Sequence, residues 1–511
     1  MKTFKTLIMK KYINLLLIAA IAALASCSDD FLSNHSTESA EAGGPATEGA
    51  IMANLTSAYQ ILLFDSYAAN NYNSIILMSD LRSNDFFKGG GDAGDQEMLY
   101  HLSLLNSTST SLPNGLWSIY YSGIARTNDA LIACENAVDV EEGRLNELKS
   151  EALFLRAYYT HLLWKLWGNI PYFTADLPEP YMAKQYSADE IYSFIMEDID
   201  EITALHALDL NSGPTMKGRA NRAAVYMLKA RVVMYQKDNG RYSEVLSDMQ
   251  EILDQGGYKL VDDFASIWTR EGEFGEESIF EVNHLPGEYG GKTWDSGWQG
   301  YGTNLPAFIS PNELKGSDEF KGGWGFAPVR PEAYEMYEAG DVRRDASINV
   351  FEQNQYVPRF QDTGYWLRKY AARVGYNEPP GDVDLNFENN LRIFRLAEVY
   401  LNIAELITLH GVSPVGMSAQ EALDMIRDRA NVPSIPATAE NIKKERRKEF
   451  LGEGLRFWDI VRWGEGDSLT ENNTEYSSTR TWEDYKKYLP IPLSEIERTE
   501  GEFKLDQNTG Y

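Results

Sequence analysis

Apolar residues recur at three- and four-residue intervals through eight long segments, and this periodicity confines much of the chain to amphipathic helices. The segments run from Ile51 to Phe64, Leu116 to Ala137, Leu145 to Trp167, Ala188 to Leu208, Arg219 to Tyr235, Tyr242 to Leu253, Leu391 to Leu409 and Ala419 to Arg429. Each closes near Gly, Pro or Asn, as at Gly168-Asn169-Ile170-Pro171 and Gly256-Gly257. Several form helix–turn–helix pairs. In Arg219 to Leu253, Ala224, Leu228, Ala230 and Tyr235 mark the first helix, and Tyr242, Val245 and Ile252 the second. The length of that unit is close to the tetratricopeptide period of roughly 34 residues, with small residues where helices must approach closely. The pairs are unevenly spaced, so each unit by itself is a weak signal.

A different kind of sequence lies between Tyr258 and about Asn390. It is dense in Gly, Pro, Trp, Tyr and Asn, with short strand-like pieces such as Ser278 to Val282. Five of the eleven tryptophans fall here (Trp268, Trp294, Trp298, Trp324 and Trp366), so the lobe is aromatic as well as loop-rich. A long stretch with few helical signals reads as a lobe built onto a helical frame, and loops on a rigid scaffold are where binding residues concentrate. The expected fold is therefore mainly α, with an inserted loop-rich, partly β ligand-binding lobe. The divisions are 50–257 for an N-terminal helical scaffold, 258–390 for the lobe, and 391–511 for C-terminal helices and an extended tail that packs back on the scaffold.

The N-terminus is a targeting signal. Lys2, Lys5, Lys10 and Lys11 precede an apolar run from Ile13 to Leu24 that is too short to span a bilayer and remain there. The run ends at Leu24-Ala25-Ser26-Cys27, which resembles the lipobox of bacterial lipoproteins, so residues 1–26 read as a cleaved signal peptide. Cys27 reads as the lipid attachment site, carrying acyl chains such as palmitate. Several chains anchor a protein firmly where one binds only marginally. Residues 27–49 read as the acylated, flexible tether, with Ser33 to Gly49 rich in Ser, Glu, Ala and Gly.

Charge and composition close off other classes. Lys plus Arg is 47 against 76 Asp plus Glu, a formal net charge of −29; loss of the signal removes four lysines and no acids, leaving −33. Such a field repels phosphate, which argues against nucleic acid as a partner. Hydrophobic residues at 43% and aromatics at 12% exclude disorder for the bulk of the 511 residues, a length that suggests about three domains. Two cysteines, Cys27 and Cys134, exclude a disulfide scaffold and any multi-cysteine metal site, and Cys134 reads as a small buried hydrophobe.

Enzyme and metal motifs fail inspection. Gly290-Gly291-Lys292-Thr293 approaches a phosphate loop, but Pro286 stands where the pattern requires Gly. Asp382-Val383-Asp384-Leu385-Asn386 begins like a calcium loop, yet Phe387 replaces its glycine and Ile393 its closing acid; a structural calcium ion has no motif behind it. His35, His101, His161, His206, His284 and His410 show no metal-ligand spacing, and no Gly-x-Ser-x-Gly occurs. The chain is read as a non-enzyme with no cofactor.

The segment Tyr289-Gly-Gly-Lys-Thr-Trp294-Asp-Ser-Gly-Trp298-Gln-Gly-Tyr301 stands apart, because its glycines leave little bulk to bury four rings. A flat ring suits the apolar face of a pyranose, while Asp295, Gln299 and Asn304 stand ready for hydroxyls. At ~1 kcal/mol for each stacked ring, three or four rings support millimolar to micromolar binding. The alternative is that these rings form the lobe's own small core. Trp324, in Gly323-Trp-Gly325, stands equally between ligand contact and packing.

The order of motifs along the chain resembles the SusD/RagB family of outer-membrane lipoproteins of Bacteroidetes. The resemblance rests on Leu116-Trp-Ser-Ile-Tyr-Tyr121, Glu151-Ala-Leu-Phe-Leu-Arg-Ala157, Trp167-Gly-Asn-Ile-Pro171, Gly323-Trp-Gly325 and Gly340-Asp-Val-Arg-Arg344. It continues through Arg395-Leu-Ala-Glu-Val-Tyr-Leu-Asn402, Glu445-Arg-Arg-Lys-Glu449, Glu453-Gly-Leu-Arg456 and Trp458-Asp-Ile-Val-Arg-Trp-Gly464, and ends in Leu489-Pro-Ile-Pro492 and Gln507-Asn-Thr-Gly-Tyr511. It implies about four tetratricopeptide-like helix pairs and a lipid-anchored place in the outer membrane facing the cell exterior. It implies capture of an oligosaccharide or polysaccharide and its delivery to a SusC-like TonB-dependent transporter. A peptide-capturing, RagB-like role is the alternative on the same fold. It also draws attention to Asp80 to Phe87, where Arg82, Asn84 and Asp85 are candidate glycan contacts beside Tyr289, Trp294, Trp298, Tyr301 and Trp324; a capped turn is the competing reading there. The charged residues Arg446, Glu449, Glu453, Arg456 and Asp459, at three- and four-residue steps, read as an ion-pair ladder with a structural role.

Overall fold

The structure, a computed structural model, describes residues 44–511 apart from 65–66, 69–70, 73, 176, 178–181, 214–215 and 295–299, with the backbone alone at 67–68 and 71–72. The signal peptide, Cys27 and the tether as far as residue 43 lie outside the described residues.

Ten described helices have eight residues or more. They are α1 (Glu48–Gln60), α2 (Gly115–Glu135), α3 (Glu142–Trp167), α4 (Ala188–Leu205), α5 (Arg222–Gln236), α6 (Tyr242–Gln255), α7 (Leu396–Thr408), α8 (Ala419–Arg429), α9 (Ala439–Glu449) and α10 (Arg456–Trp463). Starts are set by local chemistry. Ser187 and Glu190 form a capping box on α4, as do Ser418 and Glu421 on α8, each satisfying backbone donors at the helix start. From α1 to α8 each helix packs on the next in chain order, with the Tyr258–Asn390 region inserted between α6 and α7. The result is four stacked helix pairs in a tetratricopeptide-like scaffold.

Helix α3 lies at its centre and is buried continuously from Ser150 to Trp167. Its polar side chains are therefore paired. Arg156 donates to Asp198 of α4 through Nε at 2.9 Å and Nη2 at 2.6 Å, and Glu151 accepts from Arg219 Nε at 2.8 Å. The chain's tail returns to the end of this helix. Leu489 N donates to Leu166 O at 2.7 Å, and Asn508 Nδ2 bridges Trp167 O and Leu489 O at 2.7 and 2.8 Å.

One expectation changes. The periodic run from Leu391 to Leu409 is not one helix, because Leu391–Arg395 is a strand that pairs antiparallel with Ser278–Val282, with Phe280 opposite Phe394 and Val282 opposite Leu391. Ile393 and Phe394 suit a strand, and a tertiary partner overrides the local period. The charges between Lys443 and Arg462 do form structural ion pairs, and these are buried: Glu445, Arg446, Glu449 and Asp459 are enclosed. Arg395 reaches Glu277 at 2.9 Å, Glu449 at 2.7 Å and Glu453 at 2.8 Å. Arg343 reaches Glu445 at 2.6 Å and Glu449 at 3.1 Å, while Lys369 donates to Glu453 at 2.6 Å. Glu277, Arg343 and Lys369 come from the lobe, so this buried network fastens the lobe to α9 and the turn after it.

Candidate functional site

Lobe residues 287–294 and 300–304 are held to 378–387 by backbone hydrogen bonds and by the Asn386 side chain. Lys292 N donates to Asn386 Oδ1 at 2.7 Å, and Asn386 Nδ2 returns bonds to Lys292 O at 2.9 Å and Asp382 O at 2.7 Å. Thr303 and Phe387 exchange backbone hydrogen bonds at 2.9 and 3.0 Å. The approach is close enough that a Cβ on Gly287 or Gly291 would stand 2.0 or 2.1 Å from Pro380 O, so only glycine fits. The Lys292 amine turns inward to Gly302 O at 2.7 Å, and burial lowers its pKa to about 7. The Gly-Gly-Lys sequence that approached a phosphate loop is thus part of a strap, with its lysine spent inside the fold.

Aromatic rings stand on this strap. The Trp294 backbone N–H donates to Asp382 Oδ2 at 2.8 Å, and the Trp324 indole N–H points to Asp384 Oδ2 at 3.4 Å. The two indoles meet with ring centroids 5.8 Å apart and planes inclined by 33°. Behind them, Phe308 meets Trp324 edge-on at 5.9 Å and stacks on Phe326 at 4.1 Å, giving the pair a firm backing. Tyr301 covers Gly290, where an added Cβ would lie 3.0 Å from the phenol ring. Among the described residues the exposed aromatic side chains are Tyr289 at 59%, Trp294 at 38%, Tyr301 at 38% and the terminal Tyr511 at 38%. Three of the four fall in one short segment. Trp324 is partly buried, with one part in the backing and its ring against Trp294.

Asp382, Asp384 and Asn386 were visible in the sequence only as a calcium loop that fails. The structure gives each a partner on the strap or the rings, and a carboxylate accepts more than one hydrogen bond, so the two acids retain acceptor capacity beside the indoles. Trp298, Asp295 and Gln299 lie outside the described residues. Asn304, expected near a ligand, is buried at the start of the short helix Leu305–Ile309.

The second candidate segment is corrected. Arg82 is 1% exposed, with Nη2 donating to Lys486 O at 2.6 Å and Lys487 O at 2.9 Å and its guanidinium 3.7 Å over the Phe457 ring. Asp85 is 1% exposed and pairs with Arg447 at 2.6 Å, while Asn84 Oδ1 accepts from Arg456 Nε at 3.2 Å. These side chains tie the segment to α9, α10 and the tail, with Arg82 and Asp85 enclosed and Asn84 half-buried. The glycine loop just beyond them reaches the site indirectly: Gly90 N donates to Gly325 O at 2.7 Å, bracing the Trp324 loop. Among the described residues no group of three or more His, Cys, Asp or Glu side chains is placed to hold a metal ion, and no helix is long and apolar enough to cross a membrane.

Stacked helix pairs carrying exposed rings on a strapped lobe define a helical-repeat binding protein. Residues 343–511 match the profile described as the SusD family, and residues 47–234 match one described as starch-binding associating with outer membrane. The chain is similar to surface glycan-binding protein A from Bacteroides fluxus, at 60% identity and a TM-score of 0.88 over 91% of this chain and 100% of that one. It is similar to surface glycan-binding protein A from Bacteroides thetaiotaomicron in complex with laminarihexaose, at 36% identity and a TM-score of 0.86, covering 91% and 100%. A laminarin-binding SusD-like protein is 30% identical, with a TM-score of 0.80 over 91% and 100%. The chain belongs to the SusD family.

Proposed function

We propose that this protein captures a glycan by stacking sugar rings on Trp294, Trp324, Tyr301 and Tyr289, with Trp298 as a further ring of the same segment, hydroxyls met by Asp382, and Asp384 positioning the Trp324 ring. The observation that carries the reading is the clustering of three of the four exposed aromatic side chains among the described residues on one strapped segment. Exposed rings held rigidly on a frame lose little entropy on binding, and each presents a flat apolar face. A ligand without negative charge suits a chain whose net charge is −29. Laminarin-type glucan is the first ligand class, because one similar protein, at 36% identity, is in complex with laminarihexaose and another, at 30%, is described as laminarin binding. The protein binds and does not catalyse.

The same reading puts the mature chain on the outer membrane, acylated at Cys27 and facing the exterior, where it delivers its glycan to a SusC-like TonB-dependent transporter. The lipobox at Leu24 to Cys27 supports the anchor, and the outer-membrane association in the matched profile's description supports the location. Native affinity electrophoresis through gels carrying laminarin and a panel of other polysaccharides tests the binding. Retardation by laminarin that disappears in Trp294→Ala is the expected result. A protein that ignores every polysaccharide and binds a peptide digest would overturn the reading in favour of the RagB-like role.

A further inference from the structure

The rings do not end in solvent on every side. Tyr301 also lines a cavity of about 360 Å³ whose other walls include Gln60, Leu63, Gly218 and Asn283. A second cavity, of about 330 Å³, shares Gly218 and Glu281 with the first and is lined further by Lys217, Tyr258 and Phe274. Each lies at the lower end of the roughly 300–1,000 Å³ usual for ligand sites. Gly218 is the join. An added Cβ there would stand 3.8 Å from the Phe274 ring and 3.9 Å from Asn283 Cβ, so the two cavities meet across a residue with no side chain.

The far end has the make-up of a sugar contact. Phe274 holds φ at +51°, a left-handed conformation that is uncommon for a bulky side chain and marks a place where the surroundings impose it. The imposing group is the buried Glu281, whose Oε1 accepts from Phe274 N at 3.1 Å. The Lys217 ammonium stands 5.6 Å from the Phe274 ring centroid. Asn283, a wall of the first cavity, is exposed, and among the described residues its side-chain amide makes no hydrogen bond, which leaves its donor and its acceptor available.

We infer that a glycan chain held on the Trp294 ledge continues past Tyr301, Asn283 and Gly218 to a second platform at Phe274, so that the protein reads a longer run of sugars than its ledge alone contacts. The inference rests on the glycan-binding reading and deepens it. An amide flanked by rings at both ends matches a neutral chain that alternates apolar ring faces with hydroxyls. The ledge supplies the grip common to short and long ligands, and the trough supplies the length dependence.

Isothermal titration of the purified protein with laminaritriose and laminarihexaose tests this. The wild type should bind the hexaose more tightly than the triose. Phe274→Ala should lose about fivefold of the hexaose affinity, the worth of one stacked ring, and leave the triose unchanged. Asn283→Trp, at an exposed position, should block the trough and give the same pattern. Triose binding serves as the folding control in both. Variants that keep the full gain from triose to hexaose overturn the inference, and so does a wild type without that gain. Trp294→Ala separates the two ideas: triose binding that survives it removes the ledge, whereas triose binding lost there beside an intact gain in Phe274→Ala leaves the ledge and removes the trough.

Discussion

The Trp294 and Trp324 indoles lie 5.8 Å apart at 33°, and each is tied to an acid of the same short segment, Trp294 through its backbone to Asp382 and Trp324 through its ring to Asp384. A two-residue spacing of carboxylates thus sets the relative placement of two rings that come from separate loops. Trp294→Ala should weaken glycan binding about tenfold, since it removes the more exposed ring of the pair. Its melting temperature should stay within a degree or two of the wild type, because an exposed side chain carries little of the fold. Titration calorimetry beside a thermal melt checks both halves.

Asp384 is a positioning residue in this arrangement. Asp384→Ala should cost about threefold in affinity by releasing the Trp324 indole N–H, within the range of a single modest hydrogen bond. Asp384→Asn, which keeps an acceptor oxygen, should restore most of it. Quenching of tryptophan fluorescence by acrylamide gives the second readout: the alanine variant should be quenched more strongly and the asparagine variant should match the wild type. Equal losses in both variants would mean that the charge contacts the ligand directly.

The buried network that fastens the lobe predicts how the fold responds to acid. Burial alone would raise the Glu449 pKa, but Arg429, Arg395 and Arg343 outweigh it and hold the carboxyl well below the usual 4.5. Glu398 is held low in the same way by Arg231 and Arg446. A carboxyl depressed in the folded state contributes stability that is complete above the unfolded value and is lost as pH falls through the folded one. The contribution of these two carboxylates should therefore hold steady down to about pH 4.5 and fall below it. Glu449→Gln should cost about 3 kcal/mol at neutral pH, because it leaves buried guanidinium groups short of a partner, and should flatten the acid limb. Urea melts across pH would show an unchanged limb if the network carried no stability.

Much of the helical frame is legible in the sequence, and the reasons differ from element to element. The span Ala419–Arg429 is the expected one, because a capping box and a clean apolar stripe act locally. Leu391–Arg395 is misread as helix because its conformation is decided by Ser278–Val282, far away in the chain. At the site, the glycine spacing around Tyr289, Trp294 and Tyr301 announces exposed rings, a property of one segment. The braces Asp382, Asp384 and Asn386 are invisible for the opposite reason: their partners lie on another loop, and nothing in an acid's neighbours tells which indole it will meet. Arg82 and Asp85 fail in the converse way. Charged residues in a glycine-bounded turn look solvated, yet the tail and α9 close over them.

That burial separates structural from binding residues by experiment. The Arg82 guanidinium satisfies the carbonyls of Lys486 and Lys487, and burial lowers its pKa to about 10, still charged at neutral pH. Removing it leaves two part-buried acceptors without this donor, at about 1–3 kcal/mol apiece. Arg82→Ala should therefore lower the unfolding free energy by about 3 kcal/mol or more, while the folded fraction binds glycan with unchanged affinity. Trp294→Ala should do the reverse, with full stability and weakened binding. Running the two variants through the same urea melt and the same titration makes the contrast direct. An Arg82→Ala protein that is as stable as the wild type but has lost its ligand would return Arg82 to the binding site, through an opening of the tail over Phe457 that the structure does not display.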